Sequence, residues 1–298
     1  MGIPKMNVPL SSGDARSAES KARRYSVHAG VGPRHADQLR GLETVPSASI
    51  NAMRMSNVWR WLSEVPRVLT LLPLLKGVRP LVKLRFGDAK SAQVKVRRVG
   101  TLTIPDRVSA MVFANIWIRD IYPRPRDGDV VLDLGANVGL FSVRALHQRA
   151  TFCHCVEPCP DSVARLREHF SRLGLQDRSN VMPVAIGVEA GTAYIPSVNA
   201  ISNTVNGEMQ PGMVPVPVHD AARLIESLKP VPTYLKLDIE SHEVVVLRRL
   251  MSSPAFAAVR TVAVEIMKDE ETIASMLREA GFAIHMLTSP EIIVTGRR

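Results

Sequence analysis

The run Val130-Val131-Leu132-Asp133-Leu134-Gly135-Ala136-Asn137-Val138-Gly139 constrains this chain more than any other stretch. Three apolar residues lead into a carboxylate and then into a turn with glycines at its first and fifth positions. A buried parallel strand ends this way, in a tight loop from which a helix starts. Glycine suits such a loop because a ligand can approach the backbone where a Cβ would obstruct it. A second strand-like run ends at Glu157-Pro158, with Glu157 22 residues after Gly135. In folds of this kind a carboxylate at that place accepts both hydroxyls of a ribose. Together the two features predict a nucleoside-containing cofactor. The alternative is an ordinary strand–turn–helix whose glycines serve only the turn.

What the loop lacks narrows the cofactor. Dinucleotide sites space their glycines as G-x-G-x-x-G, so that a helix N-terminus receives a pyrophosphate. Here Asn137 stands in the second glycine's place, and Asp133 would repel a diphosphate while suiting a cation. S-adenosylmethionine is such a ligand, with an ammonium, a sulfonium and no phosphate. The expected cofactor-binding set is Asp133, Gly135, Asn137, Gly139 and Glu157, joined by Ala185 near the end of a strand read over 180–186.

Two later segments extend the pattern. They are Tyr234-Leu235-Lys236-Leu237-Asp238-Ile239-Glu240, followed by Glu243-Val244-Val245-Val246-Leu247, and Val262-Ala263-Val264-Glu265-Ile266. With the Asp133-to-Gly139 loop and Val156-Glu157-Pro158 they resemble the ordered motifs of the FkbM-type S-adenosylmethionine-dependent methyltransferases, over residues 101–296. The resemblance implies methyl transfer from S-adenosylmethionine, with oxygen favoured over nitrogen. The acceptor would be a hydroxyl of a small molecule, a sugar, or a lipid-linked or polyketide-type metabolite. One departure is that the family usually has Gly-Ala after the Asp-x-Glu, where this chain has Ser241-His242. That change falls on the substrate side. Two other functions stay readable in the same residues: a nicotinamide-dependent oxidoreductase, which the missing fingerprint counts against, and a catalytically inert nucleoside-binding module.

The segment 233–240 carries the next chemical signal. Leu235, Leu237 and Ile239 alternate with Lys236, Asp238 and Glu240, which share the other face. A central parallel strand is normally apolar on both faces, and burying such charges unpaired costs several kcal/mol. Lys236 is therefore expected in an ion-pair network, for instance with Glu265. Asp238 and Glu240, nearer the strand's carboxyl end, are expected to face the cleft. The catalytic candidates are Asp238, orienting the cofactor's methionine end or the acceptor; Glu240, positioning the helix start or the substrate; and His242, as proton acceptor. His242 reads equally as a helix-start residue facing solvent. The loop 199–206, with Ser202, Asn203 and Thr204, suits either a hydroxylated substrate or plain turns. Cys153, His154, Cys155 and Cys159 are expected to hold no metal, since strand alternation sends His154 to the opposite face from Cys153 and Cys155.

Charge divides the chain. Residues 1–100 carry 18 Lys/Arg against 6 Asp/Glu, a balance of +12, while residues 101–298 carry 20 against 22. The basicity is thus a property of the N-terminal third, which argues against a dedicated nucleic-acid binder. Residues 1–52 lack a sustained apolar period and are expected to be a disordered basic extension, or to precede the native start, since Met53 and Met55 come just before the first patterned segment. Residues 53–100 read as a basic and apolar segment of helix and strand. Its run Val68-Leu69-Thr70-Leu71-Leu72-Pro73-Leu74-Leu75 is too short to span a bilayer. It suits either helices packed on the domain or a membrane-surface or lid segment that contacts a lipid-linked substrate. A cytoplasmic location is expected.

Residues 101–298 read as the S-adenosylmethionine-binding domain. A hairpin over 94–99 and 102–104 leads to a helix capped by Asp106 and reaching about Tyr122. Strands at 130–135, 151–157, 180–186, 233–240 and 261–267 alternate with helices at 139–149, 160–173, 241–251 and 270–280. Asp161 is expected to cap or charge the start of helix 160–173, and Gly174 to stop it. Strand-like pieces lie at 192–195 and 214–218, and a hairpin over 283–287 and 292–294 closes the chain. The fold class is α/β: a doubly wound, Rossmann-like methyltransferase sheet, mostly parallel, with a C-terminal antiparallel hairpin.

Overall fold

A computed structural model of the chain describes residues 75–76, 78–196, 209, 211–240, 242–288 and 291–298, all within the unit Trp61–Arg298. The expectations for residues 1–74, for the 199–206 loop and for Ser241 lie outside the described residues. Leu75–Lys76 (β1), Ala92–Val96 (β2) and Gly100–Ile104 (β3) pair antiparallel into a small sheet beside helix α1, Val78–Phe86. Along β2 buried and exposed residues alternate, as a sheet with one wet face requires.

Asp106 caps helix α2, Arg107–Phe113, its carboxylate accepting from Ser109 N at 2.7 Å. The α-helix does not run to Tyr122. It ends at Phe113 and passes into a π-helical turn, Ala114–Arg119, closed by Asp120 in the left-handed region at φ 57°. Asp120 is held there by ion pairs with Arg124, at 2.7 Å, and with the nearly buried Arg144. The wider turn brings Tyr122 back onto the sheet.

The elements that follow are β4 (Val130–Leu134), α3 (Leu140–Gln148), β5 (Phe152–Val156), α4 (Pro160–Leu173), β6 (Ser179–Met182), β7 (Ala185–Gly187), β8 (Gly191–Pro196), β9 (Met213–Asp220), α5 (Ala221–Ser227), β10 (Tyr234–Leu237), α6 (Glu243–Met251), β11 (Thr261–Ile266), α7 (Glu270–Glu279), β12 (Ala283–Leu287) and β13 (Ile292–Arg297). The main sheet runs β12-β13-β11-β10-β4-β5-β6. From β11 to β6 all neighbours are parallel, and β13 is antiparallel to both β11 and β12. This is the doubly wound, mostly parallel sheet with a C-terminal antiparallel hairpin. The chain builds outward from β4 to β6 in one direction, then returns to lay β10 and β11 on the other side. The reversal puts a topological switch point between β4 and β10, and ligands bind at the carboxyl ends of the strands there.

The strand period sorts the core into two layers. Leu132, Leu134, Leu235, Leu237, Val262 and Val264 point to the side covered by α5, α6 and α7. Val131, Tyr234, Ala263 and Ile293 point to the other side, under α2, α3 and the small sheet. Asp133 and Lys236 stand on that second face as direct cross-strand partners. Among the described residues no helix is long and apolar enough to cross a membrane.

Two further local features differ from the sequence reading. The strand expected over 180–186 is two strands in different sheets, because Pro183 between them has no N–H for a ladder; β7 pairs with β9 instead of extending β6. Helix α5 lacked an expectation, although Asp220 is a good cap: its carboxylate accepts from Arg223 N at 2.9 Å. At α4 the capping position belongs to Cys159, with Pro160 in the first turn; Asp161 charges that turn and pairs with Arg165 at 3.2 Å. Gly174, at φ 67°, stops the helix.

Candidate active site

A cleft of about 650 Å³ opens at the carboxyl ends of β4, β5, β10 and β11. Its floor is the loop after β4. Gly135 N and Ala136 N both donate to Val156 O at 3.0 Å, which ties the loop to the end of β5. Gly135 sits at φ +81°, and a Cβ there would lie 1.7 Å from the carbonyl oxygen of Asp238. Glycine was expected here to let a ligand approach; what requires it is the neighbouring backbone leaving β10. Gly139, also at φ +81°, caps α3 and abuts Leu166 of α4. Its role is packing and turn geometry, and it does not line the cleft.

Asn137, in the left-handed region at φ 48°, turns its N–H toward Glu157 Oε2 at 2.9 Å. The other oxygen of Glu157 accepts from Cys159 N at 2.9 Å. Two backbone donors thus fix the carboxylate at the tip of β5, facing the cleft. Burial pushes its pKa up to about 7 against the pull of these two hydrogen bonds. Gly135, Asn137, Glu157 and Ala185 line the cleft. Asp133 does not. It is fully buried, its Oδ2 accepting from the Ser142 hydroxyl and its Oδ1 lying 3.3 Å from Lys236 Nζ.

Lys236 organises this floor. Its Nζ donates to Gly135 O at 2.9 Å and pairs with Asp238 at 3.0 Å and with Asp133. Its ion-pair partners are therefore Asp238 and Asp133, the latter across from it in register on β4, and not Glu265 on β11. Burial alone would lower the ammonium's pKa; Asp238, Asp133 and Glu265 outweigh it and hold the pKa above the ordinary lysine range. Strand β10 ends at Leu237, earlier than the sequence suggests: Asp238 N makes the last ladder bond to Leu134 O at 3.0 Å, and Glu240 then enters the left-handed region at φ 58°. Asp238 and Glu240 consequently lie on the cleft wall. Burial, and then the Asp238 charge, raises the Glu240 pKa. His242 takes the capping position of α6 at the cleft rim, exposed, with Nδ1 3.3 Å from Glu240 O.

The opposite wall holds three groups the sequence reading did not place in the site, Tyr122, Glu265 and Glu291. Tyr122, buried behind the π-helical turn, donates a short hydrogen bond to Glu265 Oε2. Burial first, and then Asp238, pushes the Glu265 carboxyl up to about 8. Beside it Glu291 accepts from Asn115 Nδ2 at 3.0 Å. The Cys153 and Cys155 thiols are buried away from the cleft, 3.5 Å apart and packed toward Ser142. Acidic groups outnumber cations on the described walls, an environment suited to a positively charged ligand.

A doubly wound sheet whose last hairpin runs antiparallel, with such a cleft at its switch point, has the architecture of the Rossmann-like methyltransferases. The chain belongs to the methyltransferase FkbM domain family, whose model matches residues 133–284. It is 29% identical over 189 residues to the hexuronic acid methyltransferase AglP of Haloferax volcanii, covering 61% of this chain and 75% of that protein. Similar solved structures include methyltransferase FkbM from Methylobacillus flagellatus KT, with 14% identity, a TM-score of 0.45 and 62% of this chain covered. That match spans 47% of the solved chain, less than half its length. Another is a precorrin-6y C5,15-methyltransferase from Geobacter metallireducens GS-15, with 10% identity, a TM-score of 0.40, and 74% of this chain and 98% of that one covered.

Proposed function

We propose that this methyltransferase uses S-adenosylmethionine and methylates a hydroxyl of a sugar or another small or lipid-linked metabolite. The observation that carries the cofactor assignment is Glu157, a carboxylate held by two backbone N–H groups at the tip of β5 and turned into a cleft without a diphosphate loop. The sugar acceptor is supported by the relative named for hexuronic acid methylation.

S-adenosylmethionine, when bound, supplies a methyl group activated by its sulfonium charge. Glu157 would receive the ribose hydroxyls, Gly135 to Asn137 would pass along the amino-acid end, and Ala185 with Ile186 would offer an apolar wall to the base. Asp238, Glu240 and His242 lie where the acceptor would enter. The chain contributes alignment of the acceptor oxygen and removal of its proton.

Calorimetry with S-adenosylhomocysteine and with NAD tests this reading. Micromolar binding of the first and none of the second is expected; NAD binding instead would point to an oxidoreductase. Glu157→Ala should weaken S-adenosylhomocysteine by about 1.5–3 kcal/mol, tenfold or more, through loss of a charge-assisted hydrogen-bond pair.

The raised pKa of Glu157 gives a further expectation with a definite sign. Ribose hydroxyls donate to the ionised carboxylate, so binding favours deprotonation and lowers its pKa from about 7. S-adenosylhomocysteine should therefore bind more tightly as pH rises through 7, by up to about tenfold between pH 6 and 8, with net proton release. Titrations in two buffers of different ionisation enthalpy measure that proton count. Proton uptake in place of release would show that the carboxylate does not meet the ribose.

A further inference from the structure

We propose that Glu265, held in place by Tyr122, is the group that takes the proton from the acceptor hydroxyl. The inference rests on the methyl-transfer reading above and assigns its base. Glu265 stands at the carboxyl end of β11, next to the β10 end that carries Asp238, and its side chain lines the cleft. One oxygen, Oε2, is engaged by the Tyr122 hydroxyl. Oε1 accepts no hydrogen bond among the described residues, which leaves it to meet a hydroxyl in the cleft.

Tyr122 is well placed to position this carboxylate. Its ring is 4% exposed and packs edge-on against Phe141, with centroids 5.0 Å apart. The Lys236 ammonium lies 6.0 Å from its ring centroid. The π-helical turn and the left-handed Asp120 that close the preceding helix set where it lies. Tyr122 keeps its proton, since burial and the surrounding carboxylates push its pKa well up, and so it serves as a donor to Glu265.

The charged groups facing Glu265 are Lys236 from β10, Asp238 just past its end, and Glu291 from the segment before β13. The two carboxylates and burial favour its protonated form, while Lys236 and Tyr122 favour the ionised one. The balance lies near neutral pH, where a general base is most effective. His242 offers no comparable setting, being exposed at the rim with one ring nitrogen against the Glu240 carbonyl. In the step itself the hydroxyl oxygen bonds to the methyl carbon as the carbon–sulfur bond breaks. The electron pair of that bond stays on sulfur and cancels its positive charge. The hydroxyl proton passes to Oε1 of Glu265 and thence to solvent.

The test uses the full chain, radiolabelled S-adenosylmethionine, and methyl glucopyranoside and methyl mannopyranoside as acceptors. Glu265→Gln should lower kcat about 10²–10⁴-fold and abolish the rise of kcat with pH at saturating S-adenosylmethionine. It should leave S-adenosylhomocysteine affinity nearly unchanged. Tyr122→Phe should lower kcat less and displace the pH profile, an effect that lost packing alone would not produce. His242→Ala should lose less than Glu265→Gln and keep the wild-type profile. Retained activity and pH dependence in Glu265→Gln, or a larger loss in His242→Ala, overturns the assignment. If S-adenosylhomocysteine binds but neither hexoside is methylated, the sugar reading fails while the base is still decided by infrared titration. A carboxyl band titrating in the neutral range, lost in Glu265→Gln and moved in Tyr122→Phe, supports the assignment. No such band overturns it.

Discussion

Gly135→Ala should destabilise the chain by at least about 3 kcal/mol and abolish measurable S-adenosylhomocysteine binding. Two penalties combine. A residue with a Cβ at φ +81° pays for the left-handed conformation, about 1–2 kcal/mol. The new Cβ must also displace the Asp238 carbonyl, which would lie 1.7 Å away. Neither backbone can retreat cheaply. Gly135 N is bonded to Val156 O, Gly135 O accepts from Lys236 Nζ, and Asp238 N is bonded to Leu134 O. Moving either segment breaks the junction of β4, β5 and β10 at the cleft floor. Gly139→Ala is the control, since it has the same φ but meets only the Leu166 side chain, at 2.5 Å, and no backbone atom. It should cost about 1–2 kcal/mol, mostly for its backbone conformation. Urea unfolding of both variants decides the matter, and equal losses would mean that the Asp238 contact is not what demands glycine at 135.

That contact illustrates how far a sequence alone can be read. The sheet was legible because its strands are short apolar runs separated by glycine, proline and cap residues, and strands β4, β5, β10 and β11 fall within a residue or a few of the expected positions. The loop after β4 and the carboxylate ending β5 were legible because their spacing follows from one strand–turn–helix–strand unit. The partners of those residues were not. Alternation places Lys236 and Asp238 on one face, yet only the sheet order shows that β4 lies beside β10, with Asp133 in register with Lys236. Asp133 therefore reads as a ligand group in the sequence and becomes a buried counter-ion in the fold. Tyr122 was missed for a different reason. Nothing in residues 114–119 marks a π-helical turn, so the pattern predicts one continuous helix and gives no sign of the tyrosine's return to the sheet. The break at Pro183 and the Asp220 cap of α5 did carry local signals that a closer reading could have used.

Lys236→Met should be the most destabilising exchange of a charged residue, at about 3–5 kcal/mol near neutral pH. The methionine fills much of the same volume, so the loss measures charge and hydrogen bonding more than packing. Without the ammonium, Gly135 O loses its donor, and Asp133, fully buried, keeps only the Ser142 hydroxyl as partner. Asp238 is left beside Glu265 with no cation between them. Lys236 also draws down the pKa values of Glu157 and Glu265, which already stand at about 7 and about 8. Its removal raises both further. A carboxyl raised in the folded state contributes stability below its unfolded value, near 4.5, and loses that contribution as pH rises through the folded one. The variant should accordingly fall further behind the parent protein as pH rises from 5 to 9, and recover part of the loss at pH 5, where protonation relieves the unpaired carboxylates. Thermal unfolding of both proteins across that range measures the divergence. A pH-independent gap would show that the lysine acts through packing and its bond to the glycine carbonyl, with little contribution from the carboxylates it joins.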